Sequence, residues 1–280
     1  MYWNVWVRTM RNDIDESRDW QGQLLECARC ERQIGQLEGH CQLGHACVHD
    51  RYARRIDRFF RWNPDLAREY LKHPYFEVRA VAARYVEVFL LPQMLADPDE
   101  TVRQSVALRL PVHSRHLLEL RKDPHREVRV RVAERLGFKD LPSMMGDSDY
   151  YVRQIVARRL PAGYLPGMLH DPDPEVRKVL ARRVATDWLP VLARDSDLSV
   201  RLEALRRMEP QQLLAFRDDP DWRVRYEVAG RLEPAKLAGL CHDPDEVVRE
   251  LACKRWAETV TPPPSLVSTQ KPLNQESFHG

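Results

Sequence analysis

The sequence predicts an all-α fold, a solenoid of about eight 24-residue repeats preceded by a small cysteine-rich domain. The dipeptide Val-Arg recurs in register eight times, beginning at positions 78, 102, 128, 152, 176, 200, 224 and 248. Such self-similarity at a short, nearly fixed period is the signature of a solenoid, in which each unit buries its apolar face against its neighbours. Ahead of the repeats, four cysteines fall within 21 residues. The repeats therefore predict the architecture, and the cysteines indicate where the chemistry lies.

Each repeat begins with a predicted α-helix of about three turns. In the repeat that contains Val152, apolar residues stand at that position and at i+4, i+5 and i+8, which places them on one helical face. An aspartate five residues before each of the last seven valines marks the start of the helix, because its carboxylate accepts from free backbone N–H groups. These aspartates are Asp97, Asp123, Asp147, Asp171, Asp195, Asp219 and Asp243.

A shorter helix is predicted after the Pro or Gly that ends the first one. It has two apolar positions three residues apart, a spacing that fits a single turn of 3₁₀- or α-helix. Strands are not expected because no stretch alternates with period two, and 24 residues are too few for two long helices, which need about 40. The first apolar position holds Leu91, Leu117, Leu141, Leu165, Leu189, Leu213 and Leu237, and the second holds Met94, Leu120, Met144, Met168, Leu192, Phe216 and Leu240.

The arginines of the Val-Arg pairs have two interpretations. Guanidinium groups spaced along a rod would suit a ladder for phosphate groups. We favour a structural network of arginines and repeat aspartates, because it explains both residue types and the near balance of 44 basic and 42 acidic side chains. A second arginine column is expected to be solvated or stacked along a face, and Tyr85 interrupts it in the first repeat, which indicates a covered end. This column comprises Arg109, Arg135, Arg159, Arg183, Arg207, Arg231 and Arg255.

The charge balance offers no electrostatic footprint for nucleic acid, so no nucleic-acid partner is expected. No membrane partner is expected either, since no run approaches the roughly 20 apolar residues of a spanning helix. The first eight residues lack the pattern of an export signal. The predicted location is the cytoplasm.

The candidate metal site consists of four cysteines: Cys27, Cys30, Cys41 and Cys47. Without an export signal, such a cluster is better interpreted as metal-binding than as a set of disulfides. Four thiolates suit either a structural zinc ion or a cubane [4Fe-4S] cluster. The presence of only one C-x-x-C pair favours iron-sulfur slightly, because a zinc ribbon takes two such pairs. Zinc stays open because three histidines among the thiols are able to replace a ligand: His40, His45 and His49.

The repeats resemble the leucine-rich repeat variant family. The stretch Asp-Pro-Asp-Pro-Glu-Val-Arg-Lys-Val-Leu-Ala-Arg-Arg-Val at residues 171–184 matches the family motif closely, and the resemblance covers roughly residues 67–257. It implies α and 3₁₀ helices that alternate in a right-handed superhelix. Family members with a cysteine-rich amino-terminal domain hold a [4Fe-4S] cluster, which implies that the four cysteines are its ligands, with zinc as the alternative. The resemblance also implies a role linked to nitrogen fixation.

A basic amphipathic helix is predicted directly after the cysteines, over residues 51–62. We hypothesise that Arg51, Arg54 and Arg55 neutralise a negatively charged cluster or dock an acidic redox partner. The alternative is a solvated helix face. The two remaining cysteines, Cys241 and Cys253, lie inside repeats and are predicted to pack as small apolar side chains.

Four segments are predicted: an amino-terminal extension (1–20), the cysteine-rich domain (21–63), the repeat solenoid (64–258, with 64–73 as an incomplete first repeat) and a disordered tail (259–280). The predicted function is that of a non-catalytic scaffold that binds an unidentified protein partner, while its cluster transfers electrons or senses oxygen or iron. A zinc-stabilised interaction solenoid with no redox role is the second hypothesis. An enzyme is disfavoured because no catalytic constellation stands out from the repeats.

Overall fold

The computed structural model describes residues 16–260, without the side chains at positions 34, 36, 259 and 260. Most of the predicted amino-terminal extension and nearly all of the predicted tail therefore lie outside the described residues. The chain divides into two compact units, Met1–Met168 and Leu169–Gly280, and each is described by itself. Within residues 16–260 the only β-structure consists of two isolated bridges. No described helix is long and apolar enough to cross a bilayer.

The first unit contains the cysteine-rich segment and the first long helices. Its α-helices are α1 Gln33–Leu37, α2 Ala53–Trp62, α3 Phe76–Ala82, α4 Glu100–Arg109, α5 Arg115–Glu119, α6 Arg126–Arg135 and α7 Tyr150–Arg159. Its 3₁₀ helices are Cys27–Arg29, Pro64–Tyr70, Val88–Met94, Leu120–Lys122, Leu141–Met144 and Ala162–Met168. Helices α2 and α3 pack side by side, as do α3 and α4, α4 and α6, and α6 and α7. The short helix α5 accommodates the longer step between the second and third Val-Arg pairs.

The second unit continues the same alternation of long and short helices. Its α-helices are α8 Pro174–Arg183, α9 Leu189–Leu192, α10 Leu198–Arg207, α11 Trp222–Arg231 and α12 Glu246–Val260. Its 3₁₀ helices are Thr186–Trp188, Pro210–Phe216, Pro234–Lys236 and Ala238–His242. Helix α8 packs on α10, α10 on α11, and α11 on α12.

The apolar face predicted for the long helices is the face that forms the core. In α7, Val152, Val156 and Ala157 are fully buried, and Leu160 is fully buried directly after the helix. Each fully buried valine or leucine side chain contributes about 1.5–3 kcal/mol relative to an exposed one. The helix itself spans ten residues, which agrees with the three turns predicted.

Before α4 and α7, two aspartates divide the capping role that was predicted for one. Asp97 accepts a hydrogen bond from the backbone N–H of Asp99 at 3.0 Å. Asp99 is the residue that caps α4, because its side chain accepts from the backbone N–H of Thr101 at 2.9 Å. Asp147 and Asp149 repeat the arrangement before α7. The cap therefore lies two residues after the predicted position, and the first carboxylate also binds an arginine.

Within each unit, arginines of the Val-Arg pairs join successive repeats. Arg103 donates to both carboxylate oxygens of Asp123 in the next repeat, at 2.7 and 3.0 Å. Its remaining terminal nitrogen donates to the backbone carbonyl of Asp97 in its own repeat, at 2.7 Å. In the second unit Arg225 binds Asp243 in the same way, at 2.8 and 2.9 Å. The predicted structural network is confirmed within each unit, and these guanidinium groups are occupied by protein partners.

The second arginine column also has protein partners. Arg109 donates to the backbone carbonyls of Ala83 at 3.2 Å and Val86 at 2.9 Å, where the preceding long helix ends. Arg207 makes the equivalent pair of bonds in the second unit, both at 2.8 Å. The expectation of a solvated column is therefore wrong, and stacking is seen at Arg159, whose guanidinium lies 5.8 Å from the centroid of the Phe138 ring. These arginines satisfy carbonyls of the last helical turn, which an α-helix leaves without a partner.

The first repeat is completed by the cysteine-rich segment. The residues predicted as an incomplete repeat form the 3₁₀ helix Pro64–Tyr70 and a following turn. Tyr85, which takes the place of an arginine in the second column, donates to the carboxylate of Asp57 in α2 at 3.0 Å. That end of the column is therefore covered, as predicted.

Candidate metal centre

Cys41 and Cys47 lie at the two ends of a tight turn. Gln42 and Ala46 exchange two backbone hydrogen bonds of 2.8 Å, which form an isolated antiparallel bridge. Gly44 sits inside the turn with φ of 70°, a conformation that costs other residues about 1–2 kcal/mol. The bridge brings the two cysteines, one on each side of it, close together although five residues separate them.

Cys27 and Cys30 are brought together by local helical structure. Cys27 opens the 3₁₀ helix Cys27–Arg29, and the backbone N–H of Cys30 donates to the carbonyl of Cys27 at 3.2 Å. The C-x-x-C spacing thus corresponds to one 3₁₀ turn, in which residues three apart share a face.

All four cysteines line one cavity, and their thiols are free. Burial raises the pKa of Cys47 to about 12. Burial first, and then the charges of neighbouring thiols, raise the pKa of Cys27 and Cys41. A bound metal cation reverses this balance, because a coordinating thiol loses its proton. Among the described residues, no three potential ligands are grouped tightly enough for a single metal ion.

Two backbone N–H groups are directed at the sulfur atoms. The N–H of Arg32 donates to Sγ of Cys30 at 3.4 Å, and the backbone N–H of His49 donates to the sulfur of Cys47. Such hydrogen bonds stabilise negative charge on sulfur, and in metal centres they tune the cluster potential. The wall behind the thiols is apolar and includes Phe59 of α2. The donor set and its surroundings therefore fit a thiolate-bound cluster.

The cysteine cavity opens into a wider cleft at the surface. Cys27, Cys30 and Cys47 line this cleft as well, together with Trp20 and the acidic Glu26. Three of the four cysteines therefore lie between the cavity and this surface cleft.

The three candidate histidines differ in position. His40 has Nδ1 3.2 Å from Oδ1 of Asn63, and His45 has Nδ1 3.0 Å from a terminal nitrogen of Arg58. His49 is the histidine that lines the cavity with the four thiols. Of the three alternatives, His49 is the one that the fold places beside the cysteines.

The arginines singled out in the basic helix have contacts of their own. Arg55 forms an ion pair of 2.9 Å with the fully buried Asp50. Arg51 donates to the hydroxyl of Tyr52 at 3.0 Å, and Arg54 is exposed. These contacts tie Arg51 and Arg55 to the surface between the cysteines and α2.

A different arginine, Arg32, lines the cysteine cavity. Besides its N–H bond to Cys30, its carbonyl accepts from the thiol of Cys41 at 3.9 Å. Its guanidinium donates to the hydroxyl of Tyr70 at 3.1 Å and pairs with Glu69, both in the first 3₁₀ helix of the repeats. Sequence reasoning missed Arg32, because its place beside the sulfur atoms depends on how the segment folds.

Two family models match the chain. The model described as "LRV protein FeS4 cluster" matches residues 17–69, which contain all four cysteines, and the model described as "Leucine rich repeat variant" matches residues 150–173. A solved structure described as a leucine-rich repeat variant with a novel repetitive structural motif is 39% identical and superposes with a TM-score of 0.77, over 82% of this chain and 98% of that one. The chain belongs to the leucine-rich repeat variant family. Its predicted all-α repeat fold is confirmed, with an FeS4-cluster domain ahead of the repeats.

One curated relative of this leucine-rich repeat variant protein comes from Rhodobacter capsulatus. It is described as an uncharacterised 27.7 kDa protein in the nifB 3′ region and is 56% identical over 96 residues. The match covers 34% of this chain and 39% of the relative. The chain thus matches well under half of that relative's length.

Proposed function

We propose that this leucine-rich repeat variant protein is a non-catalytic cytoplasmic scaffold whose [4Fe-4S] cluster transfers electrons or senses oxygen or iron. The four cluster ligands are Cys27, Cys30, Cys41 and Cys47. One observation carries the proposal: four free thiols line one cavity inside the segment that matches the FeS4-cluster family model.

The arrangement of the thiols supports a cluster over a zinc ion. In a cubane each thiolate binds its own iron atom, so the four sulfurs surround a shared volume. In a zinc site all four ligands meet one ion at about 2.3 Å. Cysteines that line a common cavity suit the first arrangement. In a zinc site, either all four thiols, or three of them together with His49, would have to surround a single ion.

The surroundings of the thiols support a redox or sensing role. A cluster held here would supply one-electron chemistry, and the chain's own groups would set its potential. The N–H donors on Cys30 and Cys47 and the guanidinium of Arg32 favour negative charge on the sulfurs. The surface cleft beside three of the cysteines gives an electron donor or a small oxidant access to this site.

The repeats support the scaffold part of the proposal. Repeat solenoids of this kind present extended surfaces that bind other proteins. The curated relative in the nifB 3′ region favours a partner that acts in nitrogen fixation. Arg54, which is exposed beside the cysteine-rich segment, belongs to the basic surface we propose for an acidic redox partner.

Metal analysis after anaerobic purification tests the cluster. We expect a brown protein with about four iron and four sulfide per chain, whose visible absorption is bleached by dithionite. Alanine variants of the four ligand cysteines should each lose most of this absorption. Cys253→Ala is the matched control and should keep it, because alanine holds the equivalent position in most other repeats. A colourless protein with one zinc per chain would refute the proposal.

A further inference from the structure

The carboxyl-terminal repeat contains a pair of cysteines that the cluster does not use. The chain has six cysteines, and the two outside the cluster segment, Cys241 and Cys253, both fall in this repeat. Elsewhere the position of Cys253 is held by alanine or leucine, as at Ala229 in the repeat before. The position of Cys241 is held in the other repeats by Leu95, Arg121, Met145, Leu169, Ala193 and Arg217.

The two cysteines are neighbours in the folded chain. Cys241 lies in the 3₁₀ helix Ala238–His242, and Cys253 lies in α12, which follows it. The thiol of Cys253 donates to the backbone carbonyl of Cys241 at 3.6 Å. Burial, and next a hydrogen bond between the two thiols, raise the pKa of Cys241 to about 11. Two positions that changed to cysteine in a single repeat are therefore neighbours in space.

The pair is also accessible. Both cysteines are only half-buried, whereas Ala229 and Ala181 at the position equivalent to Cys253 are fully buried. The expectation that Cys253 packs as an ordinary buried small side chain is thus met only in part. A half-buried pair of cysteines, with the thiol of one 3.6 Å from the backbone carbonyl of the other, has the access and the proximity that oxidation requires.

We propose that Cys241 and Cys253 are a redox-active dithiol, which a low-molecular-weight disulfide such as oxidised glutathione converts to an intramolecular disulfide. One thiolate attacks a glutathione sulfur, which forms a mixed disulfide and releases one glutathione. The second thiolate then attacks the protein sulfur of the mixed disulfide and releases the other. The dithiol loses two electrons and two protons, and one oxidised glutathione becomes two reduced ones.

The disulfide would fasten the last described helix to the short helix before it. It would close a loop from Cys241 to Cys253 that contains the turn at which α12 begins. The start of α12 could then unfold only together with this loop.

Peptide mapping of the full chain with its cluster tests the proposal. Anaerobically purified protein is held for several hours at about pH 8.5 in buffers of reduced and oxidised glutathione, and free thiols are alkylated before digestion with trypsin. Trypsin separates residues 237–249, which contain Cys241, from residues 250–254, which contain Cys253. We expect a linked pair of these two peptides that reduction dissolves. Amide hydrogen exchange in α12 should slow about tenfold in the oxidised protein.

Single variants provide the controls. Cys241→Ser and Cys253→Ala should each abolish the linked peptide and the slowing of exchange, with the cluster absorption unchanged. Fully alkylated Cys241 and Cys253 after oxidation would overturn the proposal, as would a disulfide that pairs either of them with Cys27, Cys30, Cys41 or Cys47 or with a second chain. The cluster proposal is read from the visible spectrum and does not depend on this outcome.

Discussion

Arg32 is the residue at which the cysteine-rich segment and the repeats meet. Its backbone contacts two of the proposed ligands, Cys30 and Cys41, while its guanidinium contacts Tyr70 and Glu69 of the first short helix. A positive charge beside a cluster favours the more negative, reduced state. Arg32 is thus in a position to affect both the potential of the cluster and its attachment to the repeats.

Replacing Arg32 with alanine should lower the reduction potential of the cluster by on the order of tens of millivolts, because it removes a cation and leaves Glu69 unpaired. Arg29→Ala is the comparison, since the Arg29 side chain lines the surface cleft but is 84% exposed, so that solvent screens its charge. Potentials measured by dithionite titration should differ between the two variants. Equal potentials would show that the charge of Arg32 does not act on the cluster.

The four cysteines that line the cavity could be singled out from the sequence, but Arg32 could not. Four cysteines within 21 residues can be recognised as a cluster from residue type and number alone. Which residue lies beside a sulfur atom depends instead on the turn around Gly44 and on how the C-x-x-C pair packs against that turn. The spacing of the cysteines in the sequence reveals neither of these. For the same reason the basic helix suggested Arg55, which the fold pairs with the buried Asp50.

At the scale of a repeat, two sets of arginine bonds connect neighbours in opposite directions. The Val-Arg arginine reaches forward to the next aspartate, and the arginine of the second column reaches back to the preceding helix end. The sequence was sufficient for the first set because the aspartate and arginine recur at fixed spacing. The second set was missed because its acceptors are backbone carbonyls, which have no signature in the sequence.

Arg103→Ala should destabilise the protein by about 3–5 kcal/mol, because it leaves the buried carboxylate of Asp123 without a counter-charge. Arg182→Ala is the comparison, since Arg182 also binds a carboxylate bidentately, that of Glu203, but is 54% exposed. Its loss should cost less than about 1 kcal/mol. Urea unfolding followed by circular dichroism would measure both. Similar losses would contradict a special role for the buried pair.

At the scale of the whole molecule, the paired aspartates link stability to pH. The guanidinium of Arg225 lowers the pKa of Asp243, and the hydroxyl of Ser199 lowers the pKa of Asp197. A carboxyl whose pKa is lower in the folded state stabilises the fold at every pH above its unfolded value, near 3.9. That contribution disappears as the pH falls through the lowered pKa of the folded state.

Asp243→Asn should therefore lower the melting temperature at pH 6, and the difference from the parent protein should shrink as the pH falls below about 4. Acid damage to the cluster affects the parent protein and the variant alike. The difference between their melting temperatures therefore still reports the effect of Asp243. Asp218→Asn is the control, because the side chain of Asp218 is 84% exposed. Circular dichroism melts between pH 6 and pH 3 give the readout. A difference that stays constant with pH would rule out the linkage.

The bonds from the second arginine column have a consequence for how the chain is made. The carbonyls at the end of one long helix receive their donors from an arginine about 24 residues further along, as Ala83 and Val86 do from Arg109. During synthesis, each long helix leaves the ribosome before the arginine that binds its terminal carbonyls. Folding should thus trail translation by one repeat, and a stalled or truncated chain ends in a helix whose terminal carbonyls have no arginine to bind.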